Sequence, residues 1–415
     1  MTFSPANLSD EALLDLVQRQ TLRYFWDFGH PVSGMARERS NPAAYDFRET
    51  VTTGGTGFGI MAMLAGASRG FLPRDDVRAR IVQIVDFLAR ADRHHGVFPH
   101  FLHGTTGKTI PFSKKDDGGD LVETAFLMMG LLCAREFFAD AEQLRAGIDA
   151  LWHAVEWDWH TQGERVLYWH WSPRYDFAMQ HRITGWNEAL VVYVLAAASP
   201  AHAIAPEVYH DGWTDSPVFR NGSTYHGIEL PLGPPLGGPQ FFAHYSFLGL
   251  DPRGLSDRYA DYWAQNVAHV AINRAHCIAN PHGFAAYGPD CWGLTACDGD
   301  EGYNAFCPAN DRGVIAPTAA LSSMPYAPAE SLAALRRFYK IMDGRLWRDM
   351  GFADSFNASR DWIAEGHLAI DQGPIVVMIE NHRSGLLWSL FMSCPEVQHG
   401  LRRLGFKSPA LALTA

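Results

Sequence analysis

Carboxylates are concentrated in the segment D-D-G-G-D-L-V-E-T-A-F-L-M-M-G, which begins at residue 116. Its acidic residues are Asp116, Asp117, Asp120 and Glu123. Asp120 and Glu123 have the spacing of a capping box ahead of an apolar run, which predicts a helix start. Anions are also stabilised at a helix N-terminus, by about 0.3–1 kcal/mol each. Two carboxylates remain without such a role, and their mutual repulsion points to a ligand, a cation or a proton at this place.

A second acidic candidate is Glu188, in the segment I-T-G-W-N-E-A-L-V-V-Y-V-L-A. It directly follows Trp186 and Asn187 and is predicted to lie in the first turn of an apolar helix, where the helix dipole alone would favour it. An indole and aliphatic environment would also disfavour the charged carboxylate, raise its pKa and let it hold a proton near neutral pH. Glu188 therefore has the properties required of a general acid.

The cluster at 116–123 offers the complementary environment, because glycine amides and a helix N-terminus stabilise anions. An ionised Asp there could activate water. Two carboxyl groups with opposed pKa values are typical of glycoside hydrolysis. We expect Asp116, Asp117 or Asp120 to be catalytic, and Glu123 to orient it or to hold the substrate.

A third segment, A-I-D-Q-G-P-I-V-V-M-I-E-N-H-R-S-G-L-L-W, spans residues 369–388. Pro374 suits the first position of a helix, which would leave Asp371 at the helix mouth as a further site candidate. The E-N-H-R run at 380–383 falls within the predicted helix. For these four residues we favour a buried, internally paired polar network over catalysis.

Loops and short motifs supply substrate-binding candidates. The loop 279–304 carries aromatic rings that would stack on sugars or simply pack within the loop, while its acidic residues lack the spacing of a calcium loop. Arg253, a candidate cleft residue, is equally suited to a structural ion pair with Asp251. The substrate-binding candidates are Glu123, Asp371, Trp186, Asn187, His170, His244, Arg253, Tyr287, Trp292 and Tyr303.

The overall composition narrows the class of protein. The 415 residues carry a net charge of −11 and no basic stripe, which argues against nucleic acid or an anionic membrane surface as a partner. Aromatic residues make up 13% of the chain and include 13 Trp, which suits a sugar-binding cleft. We expect the 6 Cys to be small buried hydrophobes, with a disulfide left open for an exported protein, and we expect neither a metal nor a cofactor.

The N-terminal residues lack a basic region followed by an apolar one, so the chain as given is expected to be cytoplasmic. It would be periplasmic or secreted if an export signal had been trimmed. No segment reaches the ~20 apolar residues of a membrane span. The sequence does not indicate an oligomeric state.

Helical periodicity dominates the chain, with short hairpin candidates near 97–102 and 165–170 and long loops at 211–238 and 276–315. About twelve helices are predicted, at 10–26, 57–69, 74–93, 120–138, 140–155, 186–198, 239–249, 257–275, 316–323, 328–341, 374–389 and 395–404. Without a linker or a repeat, this pattern favours a single all-α domain over 1–415. We expect six helical hairpins in an (α/α)6 toroid, with long loops around a central cleft. The glycines of T-G-G-T-G-F-G (53–59) predict close helix packing rather than dinucleotide binding.

Six blocks of the chain resemble the glycoamylase-domain family, and in particular the bacterial β-1,2-glucanases of glycoside hydrolase family 144. They are T-G-F-G-I-M-A-M-L (56–64), D-L-V-E-T-A-F-L-M-M-G-L-L (120–132), G-W-N-E-A-L-V-V-Y-V-L-A-A-A-S-P (185–200), A-P-T-A-A-L-S-S-M-P-Y-A-P (316–328), G-F-A-D-S-F-N (351–357) and residues 369–388 quoted above. The resemblance implies an (α/α)6 fold and hydrolysis of β-1,2-glucan, either internally or by release of sophorose from an end.

The same resemblance implies roles for particular residues in an inverting reaction. Glu188 would protonate the leaving oxygen, directly or through a substrate hydroxyl. Asp120 or Asp116, ahead of Asp371, would act as the base on water. Members of the family usually carry an export signal, which this chain does not show.

Three alternatives remain open at this point. A transglycosylase shares the same sequence blocks. A sugar epimerase on the same toroid would use histidine bases such as His170 or His244. A non-catalytic glucan-binding protein would bind through the aromatic loops without turnover.

Overall fold

The computed structural model describes residues 8–41 and 46–412 of the chain. Helices predominate among these residues, as the periodicity predicts. The α-helices are α1 Asp10–Trp26, α2 Thr53–Ser68, α3 Arg74–Leu88, α4 Leu121–Phe137, α5 Glu142–His153, α6 Leu190–Ala198, α7 Tyr262–Ala279, α8 Pro317–Leu321, α9 Pro328–Phe338, α10 Ala369–Arg383, α11 Leu386–Ser393, α12 Pro395–Arg403 and α13 Pro409–Ala412.

The strands are short and form small antiparallel ribbons rather than one continuous sheet. They are β1 Thr50–Thr52, β2 Phe101–His103, β3 Thr109–Ile110, β4 Gly119–Asp120, β5 Leu167–Tyr168, β6 His170–Trp171, β7 Arg182–Ile183, β8 Arg220–Tyr225, β9 Ile228–Leu232, β10 Ala296–Cys297, β11 Asn304–Ala305, β12 Trp347–Arg348, β13 Gly351–Phe352, β14 Phe356–Asn357 and β15 Trp362–Ile363. Pairing follows the orders β1-β2-β3, β4-β6, β5-β7, β8-β9, β10-β11, β12-β13 and β14-β15.

The helices differ in how much of their surface is buried. Helices α2, α4, α6 and α10 are buried almost throughout. In contrast, α3 and α5 bury one face and expose the other. This difference follows largely from sequence, because α2 and α6 are apolar on all sides and α4 and α10 carry polar residues mainly near their ends, whereas α3 and α5 are amphipathic. The described residues therefore form an inner and an outer layer of helices.

Close packing in the inner layer depends on glycine, as the G-rich run 53–59 predicts. A Cβ on Gly57 of α2 would lie 2.1 Å from the carbonyl oxygen of Phe126 in α4. A Cβ on Gly130 would lie 2.3 Å from the carbonyl oxygen of Gly57. The two backbones can approach this closely only because both positions lack a side chain.

Helix α10 returns to the first helices of the chain and packs against α1 and α2. Its Glu380 lies 2.6 Å from Nε of Arg69 and accepts a hydrogen bond from Gln18 at 3.3 Å. Arg383 lies 2.6 Å from Asp15 of α1. Asn381 is also buried and donates to the carbonyl of Leu248 at 2.9 Å, so the expected buried and paired network is confirmed for Glu380, Asn381 and Arg383. It is wrong for His382, which is exposed.

Three predicted helices differ from the structure. The helix predicted at 186–198 begins only at Leu190, so Glu188 lies before it and not in its first turn. Residues 239–249 form short 3₁₀ turns, Gln240–Ala243 and Ser246–Leu248. The helix predicted at 374–389 is two helices, α10 and α11, separated at Gly385, which has a left-handed φ of 70°. Helix α10 already begins at Ala369, so Pro374 lies inside it rather than at its first position.

Two further expectations can be compared with the described residues. All six cysteines are buried and unpaired, which confirms the interpretation as small hydrophobes. None of the helices within 8–41 and 46–412 combines the length and the apolar character that crossing a bilayer requires.

Candidate active site

A short ribbon positions the acidic cluster. β4 pairs antiparallel with β6, which places Asp120 opposite His170. Asp120 then caps α4, because its Oδ1 accepts hydrogen bonds from the amides of Val122 and Glu123, both at 3.0 Å. The helix start predicted from this pattern is confirmed at Leu121.

The reciprocal half of the capping box is absent here. Glu123 does not accept from the amide of Asp120, which instead donates to the carbonyl of Phe98 at 2.8 Å. Oε2 of Glu123 accepts from the amide of Gly54, at 2.7 Å, in the first turn of α2. Glu123 therefore links the starts of α4 and α2 and leaves its other oxygen facing the cluster.

His100 is a member of the cluster that the sequence reasoning missed. Its Nδ1 lies 3.0 Å from Oδ2 of Asp120, and its Nε2 lies 4.0 Å from Oε1 of Glu123. Burial lowers the pKa of His100, but the charges of Glu123 and Asp120 outweigh it and raise the pKa to about 9. His100 is therefore an imidazolium at neutral pH.

The histidines decide the charge of Asp120. Burial would raise the pKa of this carboxyl, but the hydrogen bond from His100 and the charge of His170 outweigh burial and lower it. Asp120 is consequently ionised at neutral pH. Burial and the charge of Asp120 raise the pKa of Glu123, against the opposing charge of His100.

Asp116 and Asp117 are neighbours in sequence but have different partners. Oδ2 of Asp116 lies 3.3 Å from Nδ1 of His170, on the cluster side of the ribbon. Asp117 accepts a hydrogen bond from the hydroxyl of Ser172 at 2.5 Å and lies 3.5 Å from Arg174. Asp117 thus fixes the turn that follows β6.

Glu188 lies in the turn before α6, which begins only at Leu190. Burial raises the pKa of this carboxyl to about 7, and the charges of Glu123 and Asp120 add to the increase. Glu188 therefore lies within electrostatic range of the acidic cluster and retains its proton close to neutral pH.

Asp371 and Asp354 form a third group of acids. Asp371, near the start of α10, is buried and shares a side-chain hydrogen bond with Asp354. Burial and the charge of Asp354 raise the pKa of Asp371 well above its usual range. Asp354 accepts from the amide of Asp298 at 2.8 Å, and its own pKa is also raised by burial. Like His100, Asp354 is a site residue that the sequence analysis missed, because no motif around it indicated a role in the site.

The phenol of Tyr245 interacts electrostatically with carboxyl groups of both acidic groups. Burial raises the pKa of its phenol well above the usual range, and the charges of Asp371, Glu188 and Glu123 add to this effect. Tyr245 therefore lies within electrostatic range of both acidic groups.

A cavity of about 640 Å³ opens beside these residues. Its lining combines aromatic and charged side chains, among them His100, Phe101, Phe112, Tyr303, Glu38 and Arg39. Phe112 and Tyr303 are 57% and 53% exposed, so their rings are available at the cavity rim. Such rings suit stacking on sugars.

Several substrate-binding candidates lie away from this cavity. Trp186 is buried and packs on Trp213 and Tyr262, each with a ring-centroid distance of 5.7 Å. Trp292 is also buried in the hydrophobic core. Both indoles pack in the hydrophobic core and do not line the cavity. The residue type alone does not distinguish a core tryptophan from a sugar-binding one.

The polar candidates outside the cavity have structural partners. His244 is buried and lies 3.0 Å from the hydroxyl of Ser323, and burial lowers its pKa to about 3. Arg253 pairs with Asp251 at 2.7 Å, the structural alternative considered from the sequence.

The remaining candidates also bond within the protein. Tyr287 donates to Asp311 at 2.7 Å. The side chain of Asn187 accepts from the amide of Ala189 at 2.9 Å and thereby shapes the turn that carries Glu188.

Three residues of the cluster could in principle hold a metal ion. His100, Asp116 and Asp120 each place one ligand atom within 4.8 Å of the others. A metal ion would have to displace the proton of His100, whose pKa is about 9, because a ligating imidazole must be neutral.

The chain is similar to known proteins over nearly its whole length. The sequence model of the "Glycoamylase" family, described as "Putative glucoamylase", matches residues 180–395. The exo β-1,2-glucooligosaccharide sophorohydrolase (non-reducing end) of Parabacteroides distasonis is 44% identical over 423 residues, covering 96% of this chain and 58% of that protein. The chain therefore spans only 58% of the length of this curated relative.

Two solved structures are similar as well. One from Bacteroides uniformis, which carries the family's own description, has 56% identity and a TM-score of 0.95, covering 98% of this chain and 99% of that chain. The endo-β-1,2-glucanase of Chitinophaga pinensis, in complex with sophorotriose and glucose, has 52% identity and a TM-score of 0.95. That alignment covers 97% of this chain and all of the other (100%).

Proposed function

Since the chain belongs to the glycoamylase family, we propose that it is a glycoside hydrolase that cleaves β-1,2-glucan or its sophorooligosaccharides. One feature carries the proposal: Glu188, whose buried carboxyl has a pKa of about 7, lies within electrostatic range of Asp120, whose pKa is lowered. Opposed protonation of two carboxyl groups is what glycoside hydrolysis requires. The sophorohydrolase and the endo-β-1,2-glucanase named above support the linkage.

In the proposed inverting reaction, Glu188 gives its proton to the leaving glycosidic oxygen as the bond to the anomeric carbon breaks. A water molecule attacks that carbon from the opposite face and passes its proton to a carboxylate. We assign this base to Asp120 or Asp116, because a base must be ionised and the pKa of Asp120 is lowered. Asp371, whose pKa is raised, would donate a hydrogen bond to a sugar hydroxyl.

We also propose that the chain is one domain with an (α/α)6 toroid. The support is a ring of contacts among the buried helices and one buried turn, which alternate along the chain with segments of the outer layer. Helix α2 contacts α4, α4 contacts α6, α6 contacts the turn Ser246–Leu248, and this turn contacts α10, which contacts α2. With α8 added, these segments would be the six inner helices of the toroid. The fourth of them would be replaced by the 3₁₀ turns.

The epimerase alternative has weaker support. It needs a neutral histidine base at the cavity, whereas His244 is bonded to Ser323 away from it. Burial lowers the pKa of His170, but the hydrogen bond to Asp116 and the charges of Asp120 and Asp116 outweigh it and raise the pKa, which opposes a role as a neutral base.

The test compares four purified variants on linear glucans of several linkages, with reducing ends and product anomers measured. We expect Glu188→Gln to lose about 10²–10⁴-fold in turnover on β-1,2-glucan while remaining folded, as expected for loss of a general acid. Glu142→Gln, which removes an exposed carboxylate at the start of α5, should retain full activity.

Asp120→Asn and Asp116→Asn then separate the candidate bases. Loss of turnover in Asp120→Asn, with a smaller effect in Asp116→Asn, supports Asp120 as the base. Near wild-type turnover in Glu188→Gln would refute the proposed mechanism. The chain length of the products distinguishes internal cleavage from release of sophorose, and longer products would reveal transglycosylation.

A further inference from the structure

We propose a second carbohydrate-binding site, separate from the acidic cavity, in a surface groove of about 690 Å³. We refer to it as the Trp159 groove. Its lining includes Glu156, Asp158, Trp159, Trp171, Asp176 and His202. The ligand class, a neutral glucan chain, rests on the function proposed above, but the groove itself does not.

The groove lies behind the ribbon that carries the acidic cluster. Asp120 pairs with His170, and Gly119 pairs with Trp171 in the next register position. Successive side chains of a strand point to opposite faces. His170 therefore contributes to the acidic cluster, while Trp171 contributes to the groove. A glucan chain in the groove would be held close to the cavity without occupying it.

Trp159 has the geometry of a stacking platform. It is 42% exposed, whereas Trp157, two residues earlier, is fully buried in the core. The imidazole of His95 stacks on the Trp159 ring, with centroids 3.9 Å apart and planes 12° apart. His95 is in turn 2.8 Å from Glu156. One face of the indole is thus supported and fixed, which leaves the opposite face for a ligand.

The polar lining selects for an uncharged, hydroxyl-rich ligand. Asp158, Glu156 and Asp176 supply carboxylate oxygens, which accept hydrogen bonds from hydroxyl groups. The only basic side chain among the lining residues named for the groove is His202, which lies 3.2 Å from Asp158. An anionic ligand such as a phosphate would therefore be repelled. An aromatic platform bordered by hydrogen-bond acceptors instead matches a pyranose ring.

Capture of a polymer in this groove would raise the effective concentration of its remaining units at the cavity. The benefit should grow with chain length, because only a long chain can reach both places. The hydrolysis of short oligosaccharides, which fill only the cavity, should not depend on the groove.

Binding is measured by calorimetry in the Glu188→Gln background, which stops turnover. The probes are long sophorooligosaccharides, with laminari- and malto-oligosaccharides in parallel. We expect two classes of sites for at least one probe. Trp159→Ala should remove one class, weakening it about tenfold or more through loss of ring stacking. Trp159→Phe should retain it, and Ile278→Ala, which truncates an exposed side chain elsewhere, should change nothing.

A kinetic measurement with Glu188 intact completes the test. Trp159→Ala should raise KM for polymeric glucan and leave kcat on short oligosaccharides unchanged. If Trp159→Ala binds every probe as the background protein does, the second site is overturned even when hydrolysis is normal. If the wild-type protein releases no reducing ends but binding still depends on Trp159, the groove stands and the proposed function falls.

Discussion

Glu188 and Asp120 are both carboxyl groups, yet their surroundings drive their pKa values apart. Asp120 has two backbone donors and an imidazolium beside it. Glu188 lacks such a cation, and burial together with neighbouring anions raises its pKa to about 7. The difference in charge is therefore produced by hydrogen bonds and burial, not by residue type.

The pKa of Glu188 predicts how activity and stability depend on pH. Activity should fall as pH rises through about 7, because the general acid loses its proton. The folded-state pKa lies above the ordinary value of 4.5, so the unfolded chain releases this proton first as pH rises. The group therefore lowers the free energy of unfolding between pH 4.5 and 7, by at most about 3 kcal/mol.

Urea denaturation of the wild-type protein and Glu188→Gln measures this contribution. The variant should be the more stable protein at pH 8, since it carries no such penalty. The two proteins should be equally stable near pH 4, where the glutamic acid is protonated in both states. An identical difference at both pH values would contradict the raised pKa.

At the scale of elements, the starts of α2 and α4 are joined by Glu123. Its carboxylate accepts from the amide of Gly54, so each helix fixes the position of the other at the site. The ribbon β4-β6 adds the third connection, because it sets Asp120 opposite His170. The geometry of the acidic cluster depends on how these three elements pack.

Substitution of Gly54 by alanine tests this connection. A Cβ at this position would lie 2.5 Å from Oε2 of Glu123, so the carboxylate must move. We expect a loss of turnover and a destabilisation of about 1–3 kcal/mol from overpacking. Gly288→Ala is the matched control, since its Cβ would have no neighbour within 4 Å. Full activity in Gly54→Ala would show that the position of Glu123 is unimportant.

At the scale of the whole molecule, α10 connects the end of the chain to its beginning. Glu380 is 2% exposed at the side chain and is paired with Arg69 of the segment after α2. Contacts of α10 with both α1 and α2 are those expected if the helical layers close on themselves. Such a closed arrangement should unfold as one cooperative unit.

Removal of Glu380 tests that cooperativity. Glu380→Ala leaves a mostly buried Arg69 without its partner, which should cost about 3 kcal/mol. We expect calorimetry to show one transition at a lower Tm, with kcat unchanged at temperatures where the variant is folded. Glu11→Ala, which removes a 74% exposed partner of Arg383, should cost at most about 1 kcal/mol. Two separate transitions would contradict a single domain.

Local sequence determined most of the helices and part of the site. The apolar run after Asp120 specified α4 together with its cap, and the glycines of 53–59 specified the close contact with α4. The apolar environment expected for Glu188 was likewise local, since Ala189 and Leu190 follow it directly. These features depend on neighbours within a few positions, where periodicity and capping are informative.

Only the tertiary structure decided which side chains meet. Glu123 bonds to Gly54, 69 positions away, and not to the local amide that the capping box would use. The partner of Asp120, His100, comes from a segment 20 positions earlier. Trp186 covers the core whereas Trp159 faces solvent, although both are tryptophans beside polar residues. A hydrogen bond or a buried face between distant segments depends on how the helices and loops pack. The spacing of residues within one segment therefore cannot predict it.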